Sequence, residues 1–348
     1  MNPERFMARC IELALRGAGH VAPNPMVGAV LVHEGRIIGE GWHRQYGHAH
    51  AEVNCIRQAI DFGEGDKIAS STLYVSLEPC AHTGKTPPCT DLIIQHQIPE
   101  VVIGCTDTFD AVNGKGIEKL KAAGVKTTVG IMEAECRELN KRFFTFHEKK
   151  RPFIILKWAE TADGMIGSGV EDRLLITNEA TNQLVHRWRS EEAAIMVGTN
   201  TAAWDDPALT TRLWEGPSAL RVVLDLNLRL PAALKLFDGQ FPTVVMTYRK
   251  AIDQPNLRYV QLQEEQDLVT AVCDALHKLN IQSVLIEGGA QLLRSFIDAR
   301  CWDEARVFRS STVFAGMGLL APELKHGELT ETDEIQTDTL HIYKPTKF

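Results

Sequence analysis

The sequence predicts an α/β protein of two domains, and three observations carry that prediction. The chain has 348 residues, enough for two full-sized cores at about 100–200 residues per domain. Its composition, 44% hydrophobic and 24% charged, is that of an ordinary globular protein. Strand-like apolar runs alternate with helical patterns on both sides of a charged break near residue 150, which implies mostly parallel sheets covered on both faces.

In chain order, Phe6, Ile11, Leu13 and Leu15 mark a first helix that should stop near Gly17–Gly19. Val27–Val32 and Ile37–Ile38 flank His33-Glu34-Gly35, a turn signal, and read as a β-hairpin. AEVNCIRQAI has helical spacing, and TLYVSLEP reads as a strand from Leu73 to Leu77 halted by Pro79. A helix is expected around Cys89–Ile94, a buried strand over Val101–Cys105, then helix, glycine stop and strand in GIEKLKAAGVKTTVG. Phe146–Pro152 is charged, lacks periodic apolar residues and ends in proline, so the boundary is placed there. Beyond it FIILKWA, AAIMVG, RVVLDL, PTVVMTY and SVLIEGG read as strands. ATNQLVHRWRSE, DLVTAVCDALHKLN and AQLLRSFID read as helices, and CWDEARVF, GLLAPEL and LHIYKP fit closing strands.

Charge narrows the function classes. The net charge is −8, with 17 basic against 18 acidic residues up to residue 150 and 20 against 27 after it. Neither half has the basic surplus that binding a phosphate backbone needs, so nucleic-acid partners are not expected. No apolar run approaches the ~18 residues that span a bilayer. Arg5, Arg9 and Glu12 interrupt the first apolar pattern, so it is not read as a secretory signal. Eight irregularly spaced cysteines read as thiols, and a cytoplasmic protein is expected.

The strongest constellation is His50-x-Glu52 at a helix start, Pro79-Cys80 after a strand, and Cys89 nine residues further on. One imidazole and two thiolates suit Zn²⁺, one ion per chain, and leave the fourth tetrahedral position to water. Such a site lowers the pKa of its water to about 7. Glu52 is placed to carry a proton from that water to a leaving amine, the H-x-E…P-C-x-x-C logic of zinc base deaminases. Here eight residues, AHTGKTPP, separate the cysteines where the general signature has two. The bland alternative is a structural zinc site with His82 as fourth ligand, or unrelated buried thiols.

PNPMVGAV (Pro23–Val30), GHAHAEV (Gly47–Val53) and LEPCAHTGKTPPCTDLI (Leu77–Ile93) closely resemble the deaminase domain of the bifunctional riboflavin-biosynthesis deaminase/reductase family. The resemblance implies a cytidine-deaminase-like α/β/α domain over residues 1–148 and a dihydrofolate-reductase-like α/β domain over 149–348. It places Asn24, His43 and Lys85 at the pyrimidine and ribose phosphate. Four segments of the second half match the family's reductase: LKWAETADGMI (Leu156–Ile166), Arg187–Arg212, RVVLD (Arg221–Asp225) and IEGGAQLL (Ile286–Leu293). They imply NADPH as cofactor, contacted by Ala159, Leu175, Thr201, Asp205, Gly288 and Gly289. They also place substrate against Arg173, Arg189, Leu209, Arg212 and Glu287, with Lys157 and Asp205 as candidate proton donors and Asp163 at a matching position. IEGGAQLL, read from its residues alone, is a strand, two glycines and a helix start, a turn that lets N–H groups approach a phosphate. Where many members have Ser-x-Trp-Ile-Thr, this chain has Arg173-Leu174-Leu175-Ile176-Thr177, which removes a large contact surface at Leu175.

The implied activity is deamination of a diaminopyrimidinone ribosyl phosphate, followed by NADPH reduction of the ribosyl to the ribityl chain. The implied partner is that small phosphorylated pyrimidine, with a homo-oligomer, dimer or tetramer, as the assembly. The alternative is a deaminase whose reductase-like domain serves assembly.

Overall fold

A computed structural model of the chain describes residues 2–84, 87–109, 112–168 and 174–346; Lys85 and Arg173, both named above, lie outside the described residues. The chain divides into two compact units, Met1–Lys149 and Lys150–Phe348.

In the first unit α1 (Pro3–Leu15) is capped by Asn2, whose side chain accepts the Glu4 N–H. The hairpin follows as β1 (Gly28–His33) and β2 (Arg36–Trp42), joined through Glu34 and Gly35, both at positive φ. Then come α2 (Ala51–Asp61), β3 (Thr72–Leu77), α3 (Cys89–Gln95), β4 (Glu100–Cys105), α4 (Lys115–Ala122), β5 (Lys126–Val129), α5 (Glu133–Leu139) and α6 (Lys141–Lys149). The sheet order is β2-β1-β3-β4-β5. Only β3, β4 and β5 are parallel; β1 is antiparallel to both of its neighbours, because the hairpin reverses the chain before the first crossover. Alternation along β1 sends Ala29 and Leu31 to a core with Cys55 and Ile56 of α2, and Val30 and Val32 to a core with Phe6 and Leu13 of α1. The result is three layers, α/β/α. The expected boundary segment is helical up to Lys149, since Phe143, Phe144 and Phe146 are buried and anchor α6. A Cβ at Gly41 would lie 2.4 Å from the Ala51 carbonyl, so only glycine lets the first turn of α2 rest on β2.

The second unit runs β6 (Phe153–Glu160), β7 (Met165–Gly167), α7 (Glu179–Glu191), β8 (Ala194–Gly198), α8 (Thr199–Asp205), β9 (Leu220–Leu224), β10 (Thr243–Thr247) and β11 (Leu257–Gln261). It continues with α9 (Leu268–Lys278), β12 (Ser283–Ile286), α10 (Ala290–Asp298), β13 (Glu304–Ser310), β14 (Leu319–Leu320), β15 (Gly327–Ile335) and β16 (Asp338–Pro345). Its nine-stranded sheet has the order β11-β10-β9-β8-β12-β6-β13-β16-β15. Seven strands, β11 through β13, are parallel, and β16 and β15 add antiparallel at one edge. β15 is exposed along almost its whole length, and so has none of the apolar alternation that would reveal it in sequence. The strand order switches direction at β6, β12 and β8, where a doubly wound sheet opens a crevice at its carboxyl edge.

Arg221 on β9 is fully buried and organises the far side of this sheet. It donates to Thr243 Oγ1 (2.9 Å), to the carbonyls of Lys235 (3.0 Å), Leu236 (3.1 Å) and Phe241 (2.9 Å), and to Asp238 Oδ1 (3.1 Å). Replacing it strands those acceptors, each at a cost of ~1–3 kcal/mol. R221M should therefore lower the stability of the second unit by at least about 3 kcal/mol in urea denaturation, with zinc content of the first unit unchanged.

Candidate functional site

The first site forms where two helices begin. His50 is the N-cap residue of α2, Cys89 opens α3, and Cys80 follows Pro79 just past the end of β3. His50 Nδ1 lies 3.3 Å from Cys89 Sγ and 3.6 Å from Cys80 Sγ, and the three ligand atoms all fall within 4.8 Å of one another. A tetrahedral ion with nitrogen at ~2.0 Å and sulfur at ~2.3 Å holds such atoms about 3.5 Å apart, so the donors stand at ligating distance. Among the described residues no fourth ligand joins them, and His82 instead faces the ring of Phe109. Three protein ligands and an open position are the catalytic rather than the structural arrangement of zinc.

Hydrogen bonds from Cys89 and His50 draw the Cys80 thiol down to about 4. That same bond to Cys80, with burial, pushes Cys89 up, and the bond to Cys80 raises His50. Without a cation the centre thus holds one thiolate, and a second requires a metal to displace the Cys89 proton. Glu52 is 3% exposed and hydrogen-bonded to Cys89, and burial raises its carboxyl. Asn24 Nδ2 donates to His43 Nε2 (3.1 Å), while His43 Nδ1 donates to the Ala49 carbonyl (3.1 Å), which fixes its tautomer. Burial lowers His43 and so favours its neutral form, and its ring meets that of His50 edge-on at 5.3 Å.

Sequence reasoning passed over Glu78. Its buried carboxylate accepts the backbone N–H groups of Asp107 (3.2 Å), Gly114 (3.0 Å), Gly116 (2.9 Å) and Ile117 (3.2 Å). The start of α4 is thereby bolted to the turn that carries Cys80. Its position directly before Pro-Cys was the available signal.

The second site is a cavity of about 870 Å³ in the second unit. Lys157, Ala159, Leu175, Arg189, Thr201 and Asp205 line it, as do Arg212, Glu287, Gly288 and Gly289. Leu209 is not brought there: it is buried with Ile195 and Val197 beneath the sheet, although its sequence segment borders the site. Asp163 ties down a loop instead, accepting the N–H groups of Ala315 (3.1 Å) and Gly316 (2.8 Å). Leu175 lies at the cavity 70% exposed, where a larger side chain would cover more of a ligand. Gly288 and Gly289 both have positive φ, and a Cβ on either would come within 3.2 Å of Thr201. They leave a side-chain-free cradle ahead of α10, the shape a diphosphate needs.

Arg189 holds Glu287 through two bonds of 2.8 and 2.6 Å. Burial pushes the Glu287 carboxyl up, but Arg189 outweighs it and keeps the group ionised. His186, one helical turn before Arg189, also lines the cavity and had no motif to announce it. Its Nδ1 accepts the Arg212 N–H (3.0 Å), while Arg212 Nη1 donates to Thr210 Oγ1 (3.1 Å). Burial, Arg189 and Arg212 together lower His186 to about 4.

Residues 152–338 match the family model of the RibD C-terminal domain, and residues 1–105 match the cytidine and deoxycytidylate deaminase zinc-binding region. The chain is 37% identical over 343 residues to the riboflavin biosynthesis protein RibD of Aquifex aeolicus, covering 96% of this chain and 93% of that one. The chain belongs to the RibD family. RibD of Escherichia coli is 33% identical over 326 residues, 88% of this chain and 87% of the other. A Thermotoga maritima structure described as a diaminohydroxyphosphoribosylaminopyrimidine deaminase/5-amino-6-(5-phosphoribosylamino)uracil reductase aligns at TM-score 0.89 and 37% identity, covering 99% of this chain and 98% of that one. This RibD chain is a bifunctional deaminase and reductase of riboflavin biosynthesis that uses zinc and NADPH. Among its described residues no helix is long and apolar enough to cross a membrane.

Two measurements check the electrostatics of these sites. Zinc added to metal-free protein near pH 7 should release protons, chiefly from Cys89, so its affinity should fall as the pH is lowered. An indicator dye in weak buffer reads the release, and none at all would show both thiols already ionised. His186 titrates near 6.5 in the unfolded chain and about 4 when folded, so the unfolded state binds more protons between those values. Stability of the second unit should therefore decline as the pH falls from 6.5 toward 4. H186Q keeps an acceptor for Arg212 and should flatten that decline in a thermal-melt series.

Proposed function

We propose that the unit up to residue 148 deaminates a diaminopyrimidinone ribosyl phosphate. On this reading the unit from 149 onward reduces the ribosyl chain of the product to ribityl. The observation that carries it is the three-ligand centre with a buried carboxyl, raised by burial, beside it. Bound by His50, Cys80 and Cys89, zinc would supply Lewis acidity that lowers the pKa of a water to about 7. Glu52 takes the proton of that water and delivers it to the departing amine nitrogen. Its raised carboxyl suits both halves of the transfer. Asn24, oriented by His43, addresses the pyrimidine edge, and Lys85 is assigned to the ribose phosphate by its place in the loop.

In the second unit NADPH would supply the hydride, and the chain's residues supply position. Gly288, Gly289 and Thr201 form the cradle for the diphosphate, with Ala159, Leu175 and Asp205 on the cofactor's path. Arg212 and Arg189 orient the substrate phosphate, with Arg173 assigned to substrate by its place in the motif. Glu287 fixes Arg189, and Lys157 and Asp205 are the candidate proton donors. The net charge of −8 supports a small-molecule substrate over nucleic acid, and a cytoplasmic homo-oligomer, dimer or tetramer, completes the reading.

A mass-spectrometric time course with and without NADPH tests both halves. Amine-to-oxygen exchange should occur in either tube, and a gain of two hydrogens only with NADPH. Exchange alone would assign the second unit to assembly, and no change in zinc-loaded protein would overturn the substrate. E52Q should keep its zinc and its reductase while losing about 10²–10⁴ in deamination rate.

A further inference from the structure

Among the described residues the cavity of the second unit is basic in an acidic chain: five Lys and Arg side chains line it against Asp205 and Glu287. Lys157, Arg189 and Arg212 gather on the side of β6 and α7, the first two facing Glu287 and Arg212 meeting His186. Arg229 stands elsewhere, just past the end of β9, and belongs to none of the motifs considered above. The turn that carries it is built. Asp225 is 2% exposed, and its carboxylate accepts the N–H groups of Arg229 (3.1 Å) and Leu230 (2.9 Å). Leu228, at positive φ, donates its N–H to the Asp225 carbonyl (3.2 Å). Two bonds pin the next carbonyl, Leu226 O, from the Tyr248 N–H and Thr247 Oγ1 (both 3.0 Å). The backbone of Arg229 is therefore fixed, while among the described residues no carboxylate pairs with its guanidinium.

We propose that Arg229 binds the phosphate on the adenosine ribose of NADPH and so selects NADPH over NADH. This rests on reading the cavity as the cofactor site. The Gly288–Gly289 cradle lies at the end of β12, and β8 and β9 follow it in the sheet. Neighbouring strands lie ~4.8 Å apart, which puts the end of β9, where the Arg229 turn begins, about 10 Å from the cradle. A ribose and its phosphate lie at that remove from the diphosphate of a dinucleotide. α8 bridges the interval: Thr201 packs on the cradle, and Thr199 Oγ1 donates to the Leu224 carbonyl (2.6 Å) at the end of β9. The substrate phosphate is excluded as the ligand, because its cations lie across β12 on the other side of the switch in strand order. A guanidinium fork with no carboxylate to neutralise it suits a terminal phosphate at the mouth of a cavity.

The test uses the full-length chain and its R229Q and R229K variants. Dissociation constants for NADPH and NADH are measured by cofactor fluorescence, and thermal shifts with adenosine 2′,5′-bisphosphate against AMP. R229Q should weaken NADPH by about 10–100-fold, leave NADH unchanged, and abolish the preference for the bisphosphate. R229K should retain part of that preference, and the substrate KM at saturating NADPH should not move. Equal losses for NADPH and NADH, or an unchanged NADPH constant, would overturn the proposal. If the unaltered protein binds neither dinucleotide, the reading of the cavity fails first and takes the proposal with it.

Discussion

Parallel pairing is the constraint from which both sites follow. Two parallel strands cannot be joined by a tight turn, so each must be followed by a crossover that returns over the sheet face. Every crossover leaves its polar turn and the start of its helix at the carboxyl edge. In the first unit that edge collects Cys80 after β3 and Cys89 at the start of α3. In the second it collects the Gly288–Gly289 turn after β12, the start of α8 after β8, and the Asp225–Leu230 turn after β9. The hairpin β1–β2 is the exception. It delivers α2, and with it His50 and Glu52, to the centre by close backbone contact at Gly41.

What stabilises these edges is polar rather than apolar. Glu78 satisfies four N–H groups with one carboxylate, Asp225 two, and Arg221 occupies six acceptors with one guanidinium. Buried charges of this kind are expensive unless fully bonded; Glu78 and Asp225 are bonded to turns that bear or face site residues, while Arg221 ties down the opposite, amino edge of the second sheet. Rigid turns follow, and rigid turns hold ligands and cations at fixed separations without any ligand present.

Much of this was legible in advance, for physical reasons that differ from residue to residue. His50, Glu52, Cys80 and Cys89 were readable because metal chemistry restricts the side chains that can serve. The buried strands were readable because parallel strands covered on both faces are continuous apolar runs. β15 was not, since a solvated edge strand has no burial to imprint a period, and the end of α6 was read as a charged boundary because His147, Glu148 and Lys149 follow Phe146. Leu209 shows the limit of motif transfer: its segment borders the cavity, but the side chain turns down into the core. His186 and Glu78 escaped because their roles are bonds to backbone groups brought close only by folding.

The exposed strand β15 has a consequence of its own. It ends the nine-stranded sheet, and an end strand offers a row of backbone donors and acceptors on which another strand could add. Glu328, Glu331, Asp333 and Glu334 crowd that strand. A second copy docking there in antiparallel register would bring carboxylate against carboxylate. The edge is closed to growth by like charge rather than by a covering element, so its protection is a property of the solvent as much as of the fold, strongest in dilute neutral buffer and weakest in acid or concentrated salt.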